Sequence, residues 1–149
     1  MAHLESKILI QRRRKDVWAF VTDLKSAQRW MPGVHEWMLQ GPRPFGLSAR
    51  IRETRTTAGP PTEYTVTAFD PPGQLAITAQ IALGGVSYTY ELADAEAGQA
   101  TDITLVLELD PGSLLLRLFP SLALARLKRV APRLDILKAI LEKPGKAIP

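Results

Sequence analysis

The chain has 149 residues, 46% of them hydrophobic, a size and composition that suit one domain with a substantial core rather than two domains. It has no cysteine and only two histidines, His3 and His35, so disulfides, thiolate nucleophiles and cysteine-based metal sites are excluded, and we expect neither a metal nor a cofactor. The formal charge of +4 is spread along the chain without interleaved aromatic residues, which argues against a nucleic-acid partner.

The first predicted elements are a strand and two short helices. Residues 4–10 largely alternate between apolar and polar side chains, the pattern of a half-buried strand. Apolar residues at helical spacing then predict a helix over residues 16–23, and a second short helix runs from residue 23 to the Pro32-Gly33 pair, which stops it.

The N-terminal segment also bears on location. It carries charged residues instead of the apolar core of a signal peptide, and no apolar stretch approaches the ~20 residues of a membrane span. The sequence therefore predicts a cytoplasmic protein.

A series of strands follows, separated by turn-forming pairs of glycine, proline and aspartate. We predict six of them, near residues 34–41, 47–57, 62–70, 74–83, 85–94 and 100–110. The period of two places Tyr88 and Tyr90 on the same face, and Leu105 and Leu107 on one face of the next strand. We expect these aromatic and aliphatic faces to point inward.

The last predicted element is a long amphipathic helix. Its apolar stripe consists of Ala123, Leu127, Val130, Leu134, Leu137 and Leu141. Pro120 suits the first turn of this helix, whereas Pro132 lies inside it and is expected to kink or interrupt it. The tail, residues 143–149, is predicted to be disordered.

This order of elements resembles the START-like (SRPBCC) superfamily, and within it the polyketide cyclase/dehydrase and lipid-transport type. Four segments carry the resemblance: VWAFVTDL at 17–24, RWMPGV at 29–34, YTVTAFDPP at 64–72 and LDILK at 134–138. It implies an α+β helix-grip fold, in which a seven-stranded antiparallel sheet wraps around a long C-terminal helix, with two short helices between strands one and two. Residues 1–149 would then form a single START-like ligand-binding domain around an internal cavity. The resemblance transfers no catalytic residue, because function in such folds depends on the individual pocket.

Glu53 is the first candidate for chemistry. An inward-facing Ile51 puts Glu53, and Arg55 beyond it, on the inner side of the same strand. A carboxylate among apolar walls can act as a general acid or base, whereas the alternative is an ion pair with Arg55 or another nearby arginine. Tyr88 and Tyr90 are the other catalytic candidates, because an inward phenol can bind a substrate carbonyl, unless both only fill volume.

The predicted ligand-binding residues come from the inner faces of the strands, the last helix and its approach, and the junction between the second helix and the second strand. They are Trp30, Met31, Trp37, Ile51, Glu53, Tyr88, Tyr90, Leu105, Leu107, Phe119, Ala123 and Leu127. The three residues of the junction, Trp30, Met31 and Trp37, form either the rim of the cavity or part of the core. His35 lies beside them, and without a partner at readable spacing we interpret it as a surface or capping residue rather than a proton relay.

Two segments suggest surfaces for contact with a membrane. One is the basic run of residues 12–15 before the first helix, which otherwise forms a solvated turn. The other is the segment of residues 114–119 from Leu114 to Phe119, which carries more leucine than one helical face can bury. It is interpreted as a lid, a partner surface or a lipid contact, or else as a capping hydrophobic cluster.

Three functions remain open at this point. The leading hypothesis is binding or transport of a small hydrophobic molecule, such as a lipid, polyketide or isoprenoid-like compound. The second is an enzyme of cyclase, dehydratase or isomerase type that uses Glu53 or a pocket tyrosine for proton transfer. The third is a partner-binding module that uses the leucine-rich segment, and the oligomeric state is left open.

Overall fold

A computed structural model describes residues 2–143 of the chain. The disorder predicted for residues 143–149 therefore concerns a segment that lies outside the described residues, except for Lys143. In chain order the elements are β1 (Ala2–Ile10), α1 (Arg14–Val21), a 3₁₀ turn (Leu24–Ser26), α2 (Ala27–Trp30), β2 (Val34–Gln40), β3 (Arg50–Arg55), β4 (Thr62–Asp70), β5 (Gln74–Ile81), β6 (Gly84–Ala95), a 3₁₀ turn (Glu96–Gly98), β7 (Ala100–Pro111), α3 (Leu114–Leu118), α4 (Pro120–Val130) and α5 (Leu134–Leu141).

The strands form one seven-stranded antiparallel sheet in the order β1-β7-β6-β5-β4-β3-β2. Strands β2 to β7 follow one another as neighbours, because short turns join antiparallel strands. β1 closes the series by pairing with β7 along its whole length, from Ala2 opposite Leu109 to Ile10 opposite Thr101. The first and last strands of the chain are therefore adjacent.

Strand β3 is shorter than the sequence predicts. It starts at Arg50 instead of residue 47, because the preceding residues form a turn in which the Ala49 N–H donates to the Gly46 carbonyl over 3.0 Å. Ser48 has a φ of 69°, a left-handed conformation that is incompatible with a strand.

The inner face of the sheet forms the core as the alternation predicts. Leu105 and Leu107 on β7 are fully buried, and so are Ile103 and Leu109 on the same face. Tyr88 and Tyr90 on β6 are buried beside them. The period of two identified these faces correctly, because one side of the sheet packs against helices and the other meets solvent.

The C-terminal helix consists of two segments. The predicted long helix is interrupted at Pro132, and α4 and α5 are separate helices that both contact β1. The interruption has two causes: proline has no N–H to donate, and its ring pushes the preceding residue out of the helical region, so that Ala131 has φ −66° and ψ 136°. The predicted apolar stripe is buried at Ala123, Leu127, Leu134, Leu137 and Leu141. The architecture is the predicted α+β helix-grip fold.

Among residues 2–143, no helix is both long enough and apolar enough to cross a membrane.

Candidate ligand pocket

A small internal pocket lies between the inner face of β2–β6 and the junction of α4 and α5. Its lining consists of Met31, Pro32, Val34, Trp37, Glu53, Arg55, Tyr64, Ile77, Tyr88, Tyr90 and Pro132. Its volume is about 20 Å³, which accommodates one water molecule. The pocket lies where the sequence predicts a ligand-sized cavity but is much smaller than that prediction, because the large side chains Trp37, Tyr64, Tyr88 and Tyr90 fill most of the concave face.

The outer face of the sheet carries a much larger depression of about 670 Å³. Glu63, Thr65, Ser87 and Glu108 are among its lining residues, together with Pro61, Ala79 and Val86, so its surface is mixed in polarity. This depression is open to solvent and lacks the enclosure that a hydrophobic ligand needs.

Glu53 lies in the wall of the pocket as the buried partner of an ion pair with the partly exposed Arg55. The Glu53 side chain is 3% exposed, and Oε2 accepts a hydrogen bond of 2.8 Å from Nη1 of Arg55. Oε1 accepts a second hydrogen bond of 2.8 Å from the indole N–H of Trp37, which lies directly opposite Glu53 in the β2–β3 register. Of the two interpretations of Glu53, the structure has the ion pair with Arg55.

Arg55 connects this ion pair to the loop before β2. Its Nη2 donates to the Pro32 carbonyl over 2.8 Å. A Cβ at Gly33 would lie 2.8 Å from the same nitrogen, and Gly33 has a φ of 73°. The left-handed backbone therefore favours glycine at position 33, and a larger residue would also displace the Arg55 guanidinium.

Tyr64, Tyr88 and Tyr90 lie beside the ion pair and are all buried. The Tyr64 and Tyr88 rings meet edge to face with centroids 5.9 Å apart, and Trp30 meets Tyr90 in the same way at 6.1 Å. Burial raises the pKa of all three phenols, and the negative charge of Glu53 raises each pKa further. For Tyr88, the neighbouring Tyr64 side chain partly offsets this rise in pKa. The phenols are therefore neutral hydrogen-bond donors at physiological pH.

Two polar groups of this cluster have no hydrogen-bond partner within residues 2–143. They are the hydroxyl of Tyr90 and the indole N–H of Trp30. A buried polar group without a partner costs about 1–3 kcal/mol, so each needs a water molecule or a ligand oxygen. The Tyr90 side chain lines the pocket, where such an oxygen has room.

The structure separates the predicted ligand-binding residues into three groups. Met31, Trp37, Glu53, Tyr88 and Tyr90 line the pocket. The second group is buried in the core but is not part of the lining: Trp30, Ile51, Leu105, Leu107, Ala123 and Leu127. Phe119 is 56% exposed at the break between α3 and α4. The three junction residues are thus core, with Met31 and Trp37 also lining the pocket, and His35 is exposed.

Several lining residues were not among the predicted ligand-binding residues: Pro32, Val34, Tyr64, Ile77 and Pro132. Tyr64 had a readable signal, because it shares the inner face of β4 with Val66 by the period of two. Ile77 is placed by register, since it pairs with Val66 on one side and with Tyr88 on the other. Pro132 had no signal, because its position depends on how the broken helix folds back onto the sheet.

Metal ligands do not converge in this pocket. Over the described residues 2–143, no three His, Cys, Asp or Glu side chains lie close enough together to hold a metal ion.

The fold and the pocket define a helix-grip domain with a buried polar cluster on its inner wall. Residues 1–142 match the family model described as polyketide cyclase/dehydrase and lipid transport. The chain belongs to this family.

Solved structures share the fold at low sequence identity. The protein XoxI from Bacillus cereus superposes with a TM-score of 0.76 at 13% identity, over 99% of this chain and 100% of that one. A protein from Thermobifida fusca has a TM-score of 0.69 at 20% identity, over 95% and 96% of the two chains. The di-domain ARO/CYC BexL from the BE-7585A biosynthetic pathway has a TM-score of 0.59 at 18% identity, and the match covers 87% of this chain and 46% of that one. None of the curated protein sequences matches this chain.

Proposed function

We propose that the protein binds a small hydrophobic molecule that carries a carbonyl or similar acceptor oxygen. The observation that supports this most directly is the Tyr90 hydroxyl, which lines the pocket without a partner among residues 2–143. Because burial keeps this phenol protonated, it presents a donor to an incoming oxygen. Lipids and polyketides, the molecules in the family's description, combine a large apolar surface with such oxygens.

A lipid or polyketide is much larger than the pocket of about 20 Å³, so binding requires the pocket to expand. The wall at Pro132 is the part of the lining best suited to move, because no helical hydrogen bond crosses the junction between α4 and α5. Ala131 and Arg133 both have non-helical backbone angles, with ψ values of 136° and 93°. Such a junction can act as a hinge, so displacement of the α4–α5 junction would open the pocket without melting either helix.

We assign the Glu53–Arg55 ion pair a role in orienting side chains of the pocket wall rather than in proton transfer. Proton abstraction by Glu53 is disfavoured, because the hydrogen bonds that Oε1 and Oε2 accept from Trp37 and Arg55 stabilise the carboxylate and make it a weaker base. We therefore place Glu53 as the acceptor that holds Trp37 and Arg55 in the wall. The tyrosine donors remain available to the ligand.

Replacing Tyr90 with phenylalanine is expected to change stability and binding in opposite directions. The unliganded protein should gain about 1 kcal/mol of unfolding free energy, because the variant no longer buries an unpaired hydroxyl. Affinity for a fluorescent aromatic ketone of the 6-acyl-2-aminonaphthalene type should fall about fivefold, the effect of one lost hydrogen bond. Urea unfolding and fluorescence titration measure the two quantities.

Two controls accompany this variant. Tyr64→Phe removes a phenol of the same cluster whose hydroxyl is not among the buried unpartnered groups of residues 2–143, so it should not raise stability. The naphthalene without its acyl group should bind wild type and Tyr90→Phe equally. Native mass spectrometry of the purified protein should show a copurified apolar molecule. If wild type carries no such molecule and does not bind the ketone, the proposed function is wrong.

A further inference from the structure

Helix α3 exposes an unusual number of large apolar side chains. Leu114, Leu115, Leu118 and Phe119 are 71%, 53%, 64% and 56% exposed, whereas Leu116 between them is buried. Ser113 caps the helix by accepting a hydrogen bond from the N–H of Leu116, so these side chains are held on an ordered turn. We call these four exposed residues the α3 patch.

The surroundings of the α3 patch are positively charged. Between residues 111 and 134 the sequence has five basic residues and no acidic one, and two of the five, Arg117 and Arg133, form salt bridges with Asp110 and Asp135 just outside this segment. Arg126, Lys128 and Arg129 on α4 are exposed and form no salt bridge within residues 2–143. An occupant of this surface must therefore offer apolar contact and negative charge side by side.

From this combination we infer that the α3 patch and the basic face of α4 dock the protein on a bilayer that contains anionic lipids. Leucine and phenylalanine enter the boundary between headgroups and acyl chains, and arginine and lysine stay at the level of the phosphates. This inference does not rest on the proposed ligand, because it uses no residue of the pocket.

A second copy of the chain fits this surface poorly. In a two-fold dimer the same patch meets itself, which would bring the positive charges of both copies together. The four exposed side chains also present less than the ~800 Å² per partner that a stable interface buries. A negatively charged bilayer avoids both difficulties.

The basic run of residues 12–15 is not part of this docking surface. The Arg12 carbonyl accepts a hydrogen bond from Thr101 at the start of β7, whereas α3 follows Pro111 at the end of the same strand. The two surfaces are therefore roughly 30 Å apart at opposite ends of β7. Arg12 and Arg14 also form salt bridges with Asp16 and Asp94, which neutralise part of this charge.

Flotation with vesicles tests the inference. Wild-type protein should bind vesicles of phosphatidylcholine with a third phosphatidylglycerol and bind pure phosphatidylcholine much less. Leu118→Glu/Phe119→Glu should weaken binding to the anionic vesicles by roughly tenfold or more, and Arg126→Gln/Arg129→Gln by a similar factor, since each basic residue contributes about fivefold near an anionic surface. Raising the salt concentration should weaken wild-type binding further.

Matched control variants separate the surface from general effects. Leu47 is 63% exposed in the loop before β3, almost the same as Leu118, so Leu47→Glu should bind like wild type. Arg13→Gln/Lys15→Gln removes two charges from the other end of β7 and should also bind like wild type. Circular dichroism should show that every variant is folded, and if the glutamate variant is not, the Arg126→Gln/Arg129→Gln pair decides the test.

Three results would overturn the inference. The first is wild-type protein that does not float with anionic vesicles. The second is equal loss of binding in the control variants. The third is a concentration-dependent dimer in size-exclusion chromatography that Leu118→Glu/Phe119→Glu abolishes, which would assign the α3 patch to a second copy.

Discussion

Replacing Arg55 with methionine is expected to lower the free energy of unfolding by about 3 kcal/mol at neutral pH. Methionine keeps much of the volume but removes the charged partner of Glu53, whose side chain is 3% exposed. Breaking a buried ion pair from one side costs about 3–5 kcal/mol because it leaves an uncompensated charge, and the remaining hydrogen bond from Trp37 keeps the loss near the lower end. Urea unfolding of wild type and variant measures the difference.

Two further variants, Glu53→Gln and the double variant, test whether the loss of stability comes from the unpaired charge of Glu53. Glu53→Gln should cost only about 1 kcal/mol, because Arg55 is partly exposed and can turn towards water. The double variant Glu53→Gln/Arg55→Met should be more stable than Arg55→Met alone, since its interior holds no unpaired charge. If Arg55→Met costs no more than Glu53→Gln, solvent reaches Glu53 and its charge is not buried as described.

At pH 10, where about half of the phenols of the unfolded chain are ionised, the native protein is expected to show much less tyrosinate absorbance than the urea-unfolded protein. All three tyrosines of the sequence, Tyr64, Tyr88 and Tyr90, lie in the pocket cluster, and burial raises the pKa of each. In the unfolded chain the same phenols have pKa values near 10. Difference spectroscopy of native and urea-unfolded protein therefore reports directly on this cluster.

The same shifts predict how stability depends on pH. Because the folded-state pKa values are raised, the contribution of the neutral phenols is fully present below about pH 10 and is lost as the pH rises towards the folded-state values. Above pH 10 the unfolded chain releases up to three protons that the native protein retains, so the free energy of unfolding should fall by up to about 4 kcal/mol per pH unit. A native tyrosine that ionises near pH 10 would mean that the pocket is open to solvent.

Closure of the pocket and the proposed binding function are consistent with each other. A pocket of about 20 Å³ excludes water from most of the tyrosine cluster, which keeps its phenols neutral. When the α4–α5 junction moves away, the bound apolar molecule takes its place against the sheet. The tyrosine hydroxyls then face the ligand instead of solvent. The free energy needed to open the pocket reduces affinity for every ligand. A ligand with both a large apolar surface and an acceptor oxygen is therefore favoured over a ligand with only one of these features.

Local sequence patterns are sufficient to predict most of the elements. Alternation placed Tyr88, Tyr90, Leu105 and Leu107 on buried faces, because a strand with one buried side leaves a period of two in its residues. The interruption at Pro132 could be anticipated for an equally local reason, since proline lacks the N–H that a helix needs. Glu53 was placed inward by the same alternation, with Arg55 as one of two interpretations of its surroundings.

The volume of the pocket depended on contacts between residues far apart in sequence. Whether four large aromatic side chains leave 20 Å³ or several hundred between them is decided by a few ångströms of sheet curvature and helix position, which no local pattern encodes. Pro132 and Ile77 came to the pocket through the fold of the broken helix and the register of β4, β5 and β6. The faces of the strands and the break in the helix were thus determined by the local sequence. The size of the pocket and the hydrogen bond between Trp37 and Glu53 were decided by the packing of the whole domain.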